Sequence, residues 1–491
     1  MFDIKLKHIK FGMLYLLYCL IIGLSIVIEV KLKSPFLLPV AVILLLFISG
    51  LVVVKSIGIN KTLMLAFFLS LSFNVEQSIY GEAFNAIHTG GLRANIAVSH
   101  TYIILIVWAF YNREPFKSIG SSKLRIEMNV YVLMVLAGCI SFIYAPNKVA
   151  AIYLITRLII FMLTFFILHN FSVETVWKYF IIGSMFIGLF QFLMGVGQLT
   201  MNNSLGLTFL GENSNPFRGG TEGLERGVSG TLGHPGTYAI FLTLIYPILL
   251  TQYIYWKKSF KRNILIISII VCFLGILISN ARTSIVIVLV STFIIILGNL
   301  LIRNRVKLNI TKLLRITITF SVILVVSSYF IIDQVLTRFF SSDFLFQIGE
   351  RNKIGDLALE IIFKDPMTTF FGVGLNNYTD VISSFGQGFI YSHPVHNYYL
   401  LLWAEGGMLH LFLFIFLTFI GVFKTIEVTR KASIYLAPKA LGVLVSIMSL
   451  VIYNLTGWSN SHNQIFILYI VLVGLSGMLY EEFKIESKKK I

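Results

Sequence analysis

The feature of this sequence that most restricts its fold is a succession of long, mostly apolar runs separated by short polar segments. A helix needs about 20 apolar residues to cross about 30 Å of hydrocarbon, because lipid offers its backbone polar groups no other partner. On this basis the chain is predicted to have about fourteen transmembrane helices. Their expected ranges are about 11–29, 35–54, 61–79, 94–111, 129–145, 150–169, 176–198, 236–256, 263–280, 283–302, 313–331, 397–423, 437–456 and 462–480.

The composition agrees with a membrane protein and argues against other classes. Of the 491 residues, 57% are hydrophobic and 12% are charged, which is more apolar surface than one soluble core can bury. The apolar runs are continuous and do not alternate at every second residue, so a membrane β-barrel is excluded. The net charge of +17 lies in short clusters between apolar runs, so no nucleic-acid partner is expected. The predicted fold class is therefore an all-α polytopic membrane protein in a lipid bilayer.

The positions of the basic residues predict an orientation. If the N-terminus is cytoplasmic, alternate loops receive most of the 39 Lys and Arg residues, in clusters such as Lys257–Arg262, Arg303–Arg315 and Lys424–Lys439. Cytoplasmic loops are the ones that carry such an excess. The first run begins at Phe11, is too long for a secretory signal and lacks a cleavage site, so it is expected to remain as a helix. Both termini are therefore predicted to be cytoplasmic.

Two loops on the predicted external side are much longer than the others. In chain order the predicted parts are transmembrane helices 1 to 7 in residues 1–198, an external loop at 199–235, helices 8 to 11 in 236–331, a long external loop at 332–396 and helices 12 to 14 with a cytoplasmic tail in 397–491. The long loop includes a stretch with helical periodicity from Glu350 to Phe363. Long ordered loops on a rigid scaffold usually carry binding and catalysis, so we expect the site there.

Imidazole and carboxyl groups stand where the long loop enters a predicted helix. His393, His396 and Asn397 end the loop, and Glu405 follows two to three turns into the helix. Imidazole at the mouth of a membrane cavity can accept a proton near neutral pH. The alternative is that both histidines are solvated loop residues. A carboxylate at Glu405 either faces a polar cavity or is paired near the interface.

Two arginines outside the basic clusters are candidate anion ligands. Arg282 lies in a polar turn between two apolar runs, and Arg351 lies in the long loop. A guanidinium group donates two parallel hydrogen bonds to phosphate oxygens, so a diphosphate headgroup is a natural partner. Equally, Arg282 could anchor the protein to lipid headgroups, and Arg351 could pair with a neighbouring acid such as Asp356. Arg226 opens a Gly-rich stretch that either approaches a ligand or only forms a turn.

Motifs for other mechanisms are missing. The sequence has no GxxxxGK[ST] phosphate loop, no HExxH, no Cys/His zinc spacing and no GxSxG. A reaction would therefore depend on positioned donors and bases, with no metal and no cofactor expected. Inside the predicted helices, Arg157 and Glu76 are expected to be buried or to face a cavity.

Four segments between about residues 180 and 425 resemble the O-antigen ligase and polymerase superfamily, which includes Wzy-type polymerases. They are the RxxxGTLGHP stretch from Arg226 to Pro235, the SNARTS turn around Arg282, Arg351 followed by DPMTTFFGVGLNNY from Asp365 to Tyr378, and HNxxLxxxxExG from His396 to Gly407. The last is the most specific. The chain departs from the family pattern at His410, where a small residue often stands, and in having about fourteen helices where a ligase has nearer twelve.

The resemblance implies an inverting, metal-independent glycosyltransferase of a bacterial inner or plasma membrane, with an extracytoplasmic active site. It would take a glycan from undecaprenyl diphosphate and pass it to a hydroxyl group of another glycan. By the family pattern His396 would act as the base and Arg282 and Arg351 would hold the diphosphate. Arg226, His393, Asn397 and Glu405 are further candidates for substrate binding.

Several functions stay open at this point. A polymerase of repeat units for capsule, exopolysaccharide or O-antigen is favoured over a ligase that transfers glycan to a lipid or protein acceptor. A flippase and a chain-length regulator of the same pathway would be its partners. From other classes, the alternatives are a lipid-linked oligosaccharide flippase or transporter and a structural assembly subunit whose loop is a docking surface.

Overall fold

A computed structural model describes residues 53–80, 96–111, 125–217, 227–255, 260–303, 342–383 and 394–489. The predicted helices at about 11–29 and 313–331, nearly all of that at about 35–54, and the candidate residues Arg226 and His393 lie outside these ranges. The chain divides into two compact units, residues 1–66 and 67–491. In the first unit the described part, residues 53–66, includes the start of the first helix below.

The regular elements of the described residues are almost all helices. In chain order they are α1 Ile59–Ser70, β1 Glu76–Tyr80, β2 Ile96–Ser99, α2 His100–Tyr111, α3 Arg125–Ser141, α4 Lys148–His169, α5 Val173–Met201, α6 Pro235–Tyr255, α7 Phe260–Ile278, α8 Arg282–Arg303, α9 Ser342–Ile362, α10 Pro366–Phe371, α11 Tyr378–Ser383, α12 Tyr398–Lys431, α13 Ala437–Asn454 and α14 Asn463–Lys488. Short 3-10 helices occur at Phe142–Tyr144, Thr208–Leu210 and Ser459–Ser461.

Eight of the described helices are long and apolar enough to cross a membrane, namely α3 with its 3-10 extension, α4, α5, α6, α8, α12, α13 and α14. Helices α1, α2 and α7 are apolar but shorter. Helices α6 and α14 are buried almost all round, as expected of helices that are apolar on every face, whereas α12 leaves more of its apolar surface exposed. The fold is therefore that of an all-α membrane protein, while the number of fourteen spans stays a prediction.

The two predicted runs at about 61–79 and 94–111 have different bounds in the structure. Helix α1 ends at Ser70, and α2 begins at His100. Between them β1 and β2 form a two-stranded antiparallel sheet in which Glu76 pairs with Ser99. Glu76 therefore lies in a strand and not in a helix. The hydroxyl of Ser70 donates to the carbonyl of Phe67 at 2.7 Å, a bond that competes with continuation of the helix.

Successive helices run in opposite directions, so their ends gather at two ends of the bundle. At the first, which we call the Arg282 end, α4, α6, α8, α12 and α14 begin and α3, α5, α7 and α13 end. At the second, the Lys488 end, each of these helices has its other terminus. Helix N-termini carry a partial positive charge from N–H groups that have no partner within the helix. At the Arg282 end an anion is therefore favoured beside the starts of these five helices and disfavoured beside the ends of the other four.

Helix α12 is broken at Gly407, its tenth residue, where a continuous helix is predicted. Gly407 takes φ 75° and ψ 176°, and a Cβ atom there would collide with the carbonyl oxygen of Phe370. A Cβ atom at Gly372 would in turn collide with the carbonyl oxygen of Glu405. Only glycine allows this conformation and this approach of two backbones. The break makes room for the loop that contains Gly372.

Candidate functional site

Two hydroxyl groups join the end of α13 to the starts of two other helices. Tyr399, in the first turn of α12, donates to the carbonyl oxygen of Val451 at 3.1 Å. Thr456, just after α13, donates to the hydroxyl oxygen of Thr283 at 3.3 Å. A rise of about 1.5 Å per residue separates Val451 from Thr456 by on the order of 8 Å along the axis. The starts of α8 and α12 therefore both contact the end of α13.

Arg282 is the first residue of α8 and is half-buried. It follows a turn in which Asn280 has a φ of 53°, a left-handed conformation that Asn tolerates better than most residues. Within the turn the hydroxyl oxygen of Ser279 accepts from the backbone N–H of Ala281 at 3.2 Å. This is the polar turn predicted between two spans. It puts a guanidinium group at a helix N-terminus, where both can act on one anion.

His396 and Asn397 form the entry to α12. The side-chain oxygen of Asn397 accepts from the backbone N–H groups of Tyr399 at 3.0 Å and Leu400 at 3.2 Å, so Asn397 is the N-cap of the helix. His396 precedes it and is half-buried. The cap fixes the backbone beside the imidazole. Asn397 thus has a structural role, and its contact with a substrate stays a prediction.

Arg351 lies in α9 and is half-buried. One turn later the carbonyl oxygen of Ile354 accepts from the hydroxyl of Tyr378 at 3.5 Å, and the backbone N–H of Tyr378 donates to the carboxylate of Glu405 at 3.4 Å. Burial, and then the Glu405 carboxylate, raises the pKa of Tyr378, so its hydroxyl stays protonated near pH 7. Tyr378 thereby attaches α9, and with it Arg351, to α12.

Glu405 is buried two turns inside α12, just before the break. Besides the bond from Tyr378, its backbone carbonyl accepts from the N–H of Gly374 at 3.0 Å, and the carbonyl of Ala404 accepts from Val373 at 2.8 Å. These bonds hold the loop against the exposed backbone of the broken helix. Glu405 therefore has a structural role as well, and its contact with a substrate is not needed to explain its burial.

The same loop is fixed on its other side by the end of α3 and the start of α4. The side-chain oxygen of Asn377 accepts from the backbone N–H of Asn147 at 2.6 Å, and its amide donates to the carbonyl of Asn147 at 3.2 Å. The backbone N–H of Leu375 donates to the hydroxyl oxygen of Ser141 at 3.3 Å. The loop between α10 and α11 is thus held between two parts of the bundle, which makes it an ordered part of the Arg282 end.

The Gly-rich stretch before α6 rests on two buried amides of α5. Gln191 accepts from the backbone N–H of Thr231 at 3.2 Å and donates to its hydroxyl oxygen at 2.6 Å. Gln198 accepts from the N–H of Gly230 at 3.0 Å and donates to its carbonyl at 3.0 Å. A buried amide that satisfies a loop backbone in this way fixes the loop's conformation. The described part of this stretch is therefore a turn whose backbone is fixed by side-chain hydrogen bonds. Arg226 precedes the described residues.

The polar link between α13 and α14 also belongs to this end, although it is not among the site residues predicted from the sequence. The 3-10 helix Ser459–Ser461 packs against α6, α12, α13 and α14. Next to it the rings of Trp458 and His462 stack at 5.1 Å. The Nη2 atom of Arg157 donates to the carbonyl of Ser461 at 2.7 Å. The sequence feature that could have indicated this link is a run of six consecutive polar residues, Ser459–Gln464, between two apolar runs.

A second pair of imidazoles lies near this link. Burial, and then the charges of His234 and Arg157, lowers the pKa of His462 to about 3. The exposed His234 accepts from the backbone N–H of Gly236 through Nδ1 at 3.0 Å. A group with so low a pKa is a poor proton acceptor near pH 7. His462 therefore does not replace His396 as the candidate base.

Arg157 is a buried positive charge near the first residue of α12. It is 4% exposed, within the span of α4, and its guanidinium group lies 5.7 Å from the ring centroid of Phe161. Arg157 and Glu405 both act electrostatically on Tyr398, two residues after His396. Charged side chains inside a membrane are costly and usually mark functional regions. The predicted burial of Arg157 is confirmed, and its surroundings connect it to the Arg282 end.

The fold and these contacts define the chain as an all-α protein embedded in a membrane, with buried polar and charged side chains gathered at one end of its bundle. In the part of the chain that the structure describes, no group of three or more His, Cys, Asp or Glu residues is arranged to hold a metal ion. No protein-family model matches the sequence, and no curated protein is significantly similar to it. A function is therefore inferred from the site.

Proposed function

We propose that this protein is a membrane glycosyltransferase that joins undecaprenyl-diphosphate-linked oligosaccharide repeat units into a surface polysaccharide. The observation that carries the proposal is the connection of the elements bearing Arg282, Arg351 and His396 at one end of the bundle. Helices α8 and α12 each contact the end of α13, and α9 is attached to α12 through Tyr378. Two guanidinium groups, an imidazole and several helix N-termini suit a diphosphate donor and a hydroxyl acceptor.

The chemistry assigned to these groups is an inverting displacement. The acceptor hydroxyl oxygen attacks the anomeric carbon of the donor glycan from the face opposite the diphosphate, while His396 takes the hydroxyl proton. The bond between the anomeric carbon and the diphosphate oxygen breaks, and negative charge develops on the leaving group. Arg282 and Arg351 offset that charge, which is a role a metal ion fills in other enzymes. The products are a longer glycan and undecaprenyl diphosphate.

The site is assigned to the extracytoplasmic face. Basic residues predominate at the Lys488 end, as expected for a cytoplasmic side, so the Arg282 end is the external one. Repeat units that reach this face on a lipid carrier would meet the site without leaving the membrane. A flippase and a chain-length regulator are the expected partners in the bacterial plasma or inner membrane.

The test is elongation by purified protein. The protein in detergent is incubated with a defined undecaprenyl-diphosphate oligosaccharide, and the glycan length is measured by gel electrophoresis and mass spectrometry. We expect His396→Ala and Arg282→Ala each to lose elongation by on the order of a hundredfold or more, the scale of losing an acid/base or charge-stabilising group. Arg430→Ala and His169→Ala, at the Lys488 end, are matched controls that should keep it.

Three outcomes separate the proposal from its alternatives. Elongation that is unchanged in both site variants would show that the site is wrongly assigned. Transfer of the glycan only to a lipid or protein acceptor, with no lengthening, would identify a ligase that uses the same residues. Translocation of the lipid-linked oligosaccharide in vesicles, with no transfer at all, would identify a flippase instead.

A further inference from the structure

Three large apolar side chains are exposed within eight residues at the end of α9 and in α10. Phe363 is 61% exposed, Met367 is 54% exposed and Phe370 is 49% exposed. Water in contact with so much apolar surface in one place is unfavourable, and such patches mark interaction surfaces. We propose that this segment, which we call the α9–α10 turn, lies in the membrane surface with these side chains inserted among the acyl chains of lipids at the Arg282 end.

The patch is continuous with surface that faces lipid. The carbonyl of Phe370 lies against Gly407, and the next two residues of α12, Met408 and Leu409, are exposed apolar side chains inside a span. The ring of Phe363 packs edge-on against Trp403 of the same helix at 5.4 Å. Because these two contacts bring the patch next to Met408 and Leu409, the bilayer that covers α12 is the occupant the patch fits.

The exposed residues in the middle of α9 are polar, and apolar side chains join them towards its end. Asn352, Lys353 and Asp356 are exposed in the middle, whereas near the end Leu359 is exposed beside Glu360, and Phe363 follows. The apolar share of the exposed surface therefore rises towards the α9–α10 turn. Arg351, beside Asn352, lies on the polar side of this change.

Polar residues in the turn are compatible with this position. Lys364 is exposed, and a lysine at an interface extends its ammonium group to water while its chain stays in apolar surroundings. The carboxylate of Asp365 accepts from the backbone N–H of Thr368 at 2.8 Å and from its hydroxyl at 2.9 Å, so it caps α10. These bonds hold the pKa of Asp365 below its usual value. The inference depends on the protein being in a membrane and not on the proposed reaction.

Tryptophan placed at the patch reports its depth. Met367→Trp and Phe370→Trp are compared with Leu409→Trp as a lipid reference and Asn352→Trp as an aqueous reference, in nanodiscs of phosphatidylcholine brominated in the upper acyl chain. The fluorescence of the wild-type chain, which has five tryptophans, is subtracted. We expect the added fluorescence at positions 367 and 370 to be quenched as strongly as at 409, and that at 352 to be quenched by aqueous iodide only.

Two results would overturn the proposal. Quenching by iodide and not by bromine at positions 367 and 370 would put the turn in water. Protection from both quenchers would show that protein covers the patch. Size-exclusion elution as for the wild type is required of each variant, and the two patch positions are independent, so failure of one to fold leaves the other to decide. Neither result depends on glycan elongation, so the proposed function is tested separately.

Discussion

At the scale of single residues, the buried charges differ in what they contact. Lys424 of α12 and Glu127 of α3 form a salt bridge of 2.6 Å in which both side chains are buried. The Lys424 ammonium group also lies 5.3 Å from the ring centroid of Tyr480. This pair joins two spans towards the Lys488 end. Arg157, in contrast, donates to the backbone of the link between α13 and α14, so its charge is directed to the opposite end.

The buried pair gives a prediction about stability. Lys424→Met leaves the Glu127 carboxylate buried without its cation, so the free energy of unfolding should fall by about 3–5 kcal/mol. The double variant Lys424→Met with Glu127→Leu should recover most of that loss, since it leaves no isolated charge. Equilibrium unfolding in mixed detergent micelles with increasing dodecyl sulfate measures each value.

A control for that experiment is the exposed pair Lys431–Glu427, with an N–O distance of 3.0 Å. Lys431→Met should cost less than about 1 kcal/mol, because solvent already screens this pair. A double variant at the buried site as unstable as the single one would show that Lys424 contributes by packing its chain and not by its charge.

At the scale of elements, the break in α12 is what positions the loop between α10 and α11. A continuous helix would satisfy its own backbone and leave no bonds for Val373 and Gly374. At the break, the carbonyls of Ala404 and Glu405 accept from that loop instead. The geometry depends on the positive φ of Gly407 and on the absence of its side chain.

Replacing this glycine should therefore cost more than an ordinary helix substitution. Gly407→Ala puts a Cβ atom against the Phe370 carbonyl in a backbone conformation that already costs about 1–3 kcal/mol for other residues, so we expect a loss of at least that size in the free energy of unfolding. Gly355→Ala is the matched control. Its Cβ would meet nothing within 4 Å in the middle of α9, so it should be neutral or stabilise by up to about 1 kcal/mol.

Dodecyl sulfate titration compares the two alanine variants. Equal effects would mean that the break is not constrained by Gly407. A selective loss in Gly407→Ala, together with faster proteolysis between α10 and α11, would connect the break to the order of the loop.

The elements also differ in how far sequence alone predicts them. Helices such as α4 and α6 are predicted within about two residues, since one continuous apolar run contains the information. The strands β1 and β2 are five and four residues long and exist only through pairing with each other, so they cannot be recognised within the two apolar runs that are predicted to be helices at about 61–79 and 94–111. The break at Gly407 cannot be predicted from the local sequence either, because it depends on the backbone of Phe370, which is distant in sequence.

At the scale of the whole molecule, the candidate site is assembled from distant parts of the chain. Arg282, Arg351 and His396 can be singled out one by one, since each is a polar group at an unusual place in a hydrophobic sequence. The contacts that position the elements around them, such as the bond of Asn377 with Asn147 across 230 residues, have no local signal. The link Ser459–Gln464 shows the converse, because its polar composition is visible while its place beside Arg157 is not.

The bundle as a whole also makes a prediction about sidedness. Exposed Asn203, after α5, lies at the Arg282 end, and exposed Lys489, after α14, lies at the Lys488 end. Since lysine and arginine prevail at the latter, Asn203→Cys should react with a membrane-impermeant maleimide added to intact cells, and Lys489→Cys should react only after permeabilisation. Of the three native cysteines, Cys139 and Cys272 lie within helices of the bundle and Cys19 lies outside the described residues, so the unaltered chain provides the background. The opposite pattern would put the Arg282 end in the cytoplasm, where a glycan carried outward on its lipid would never meet Arg282 or His396.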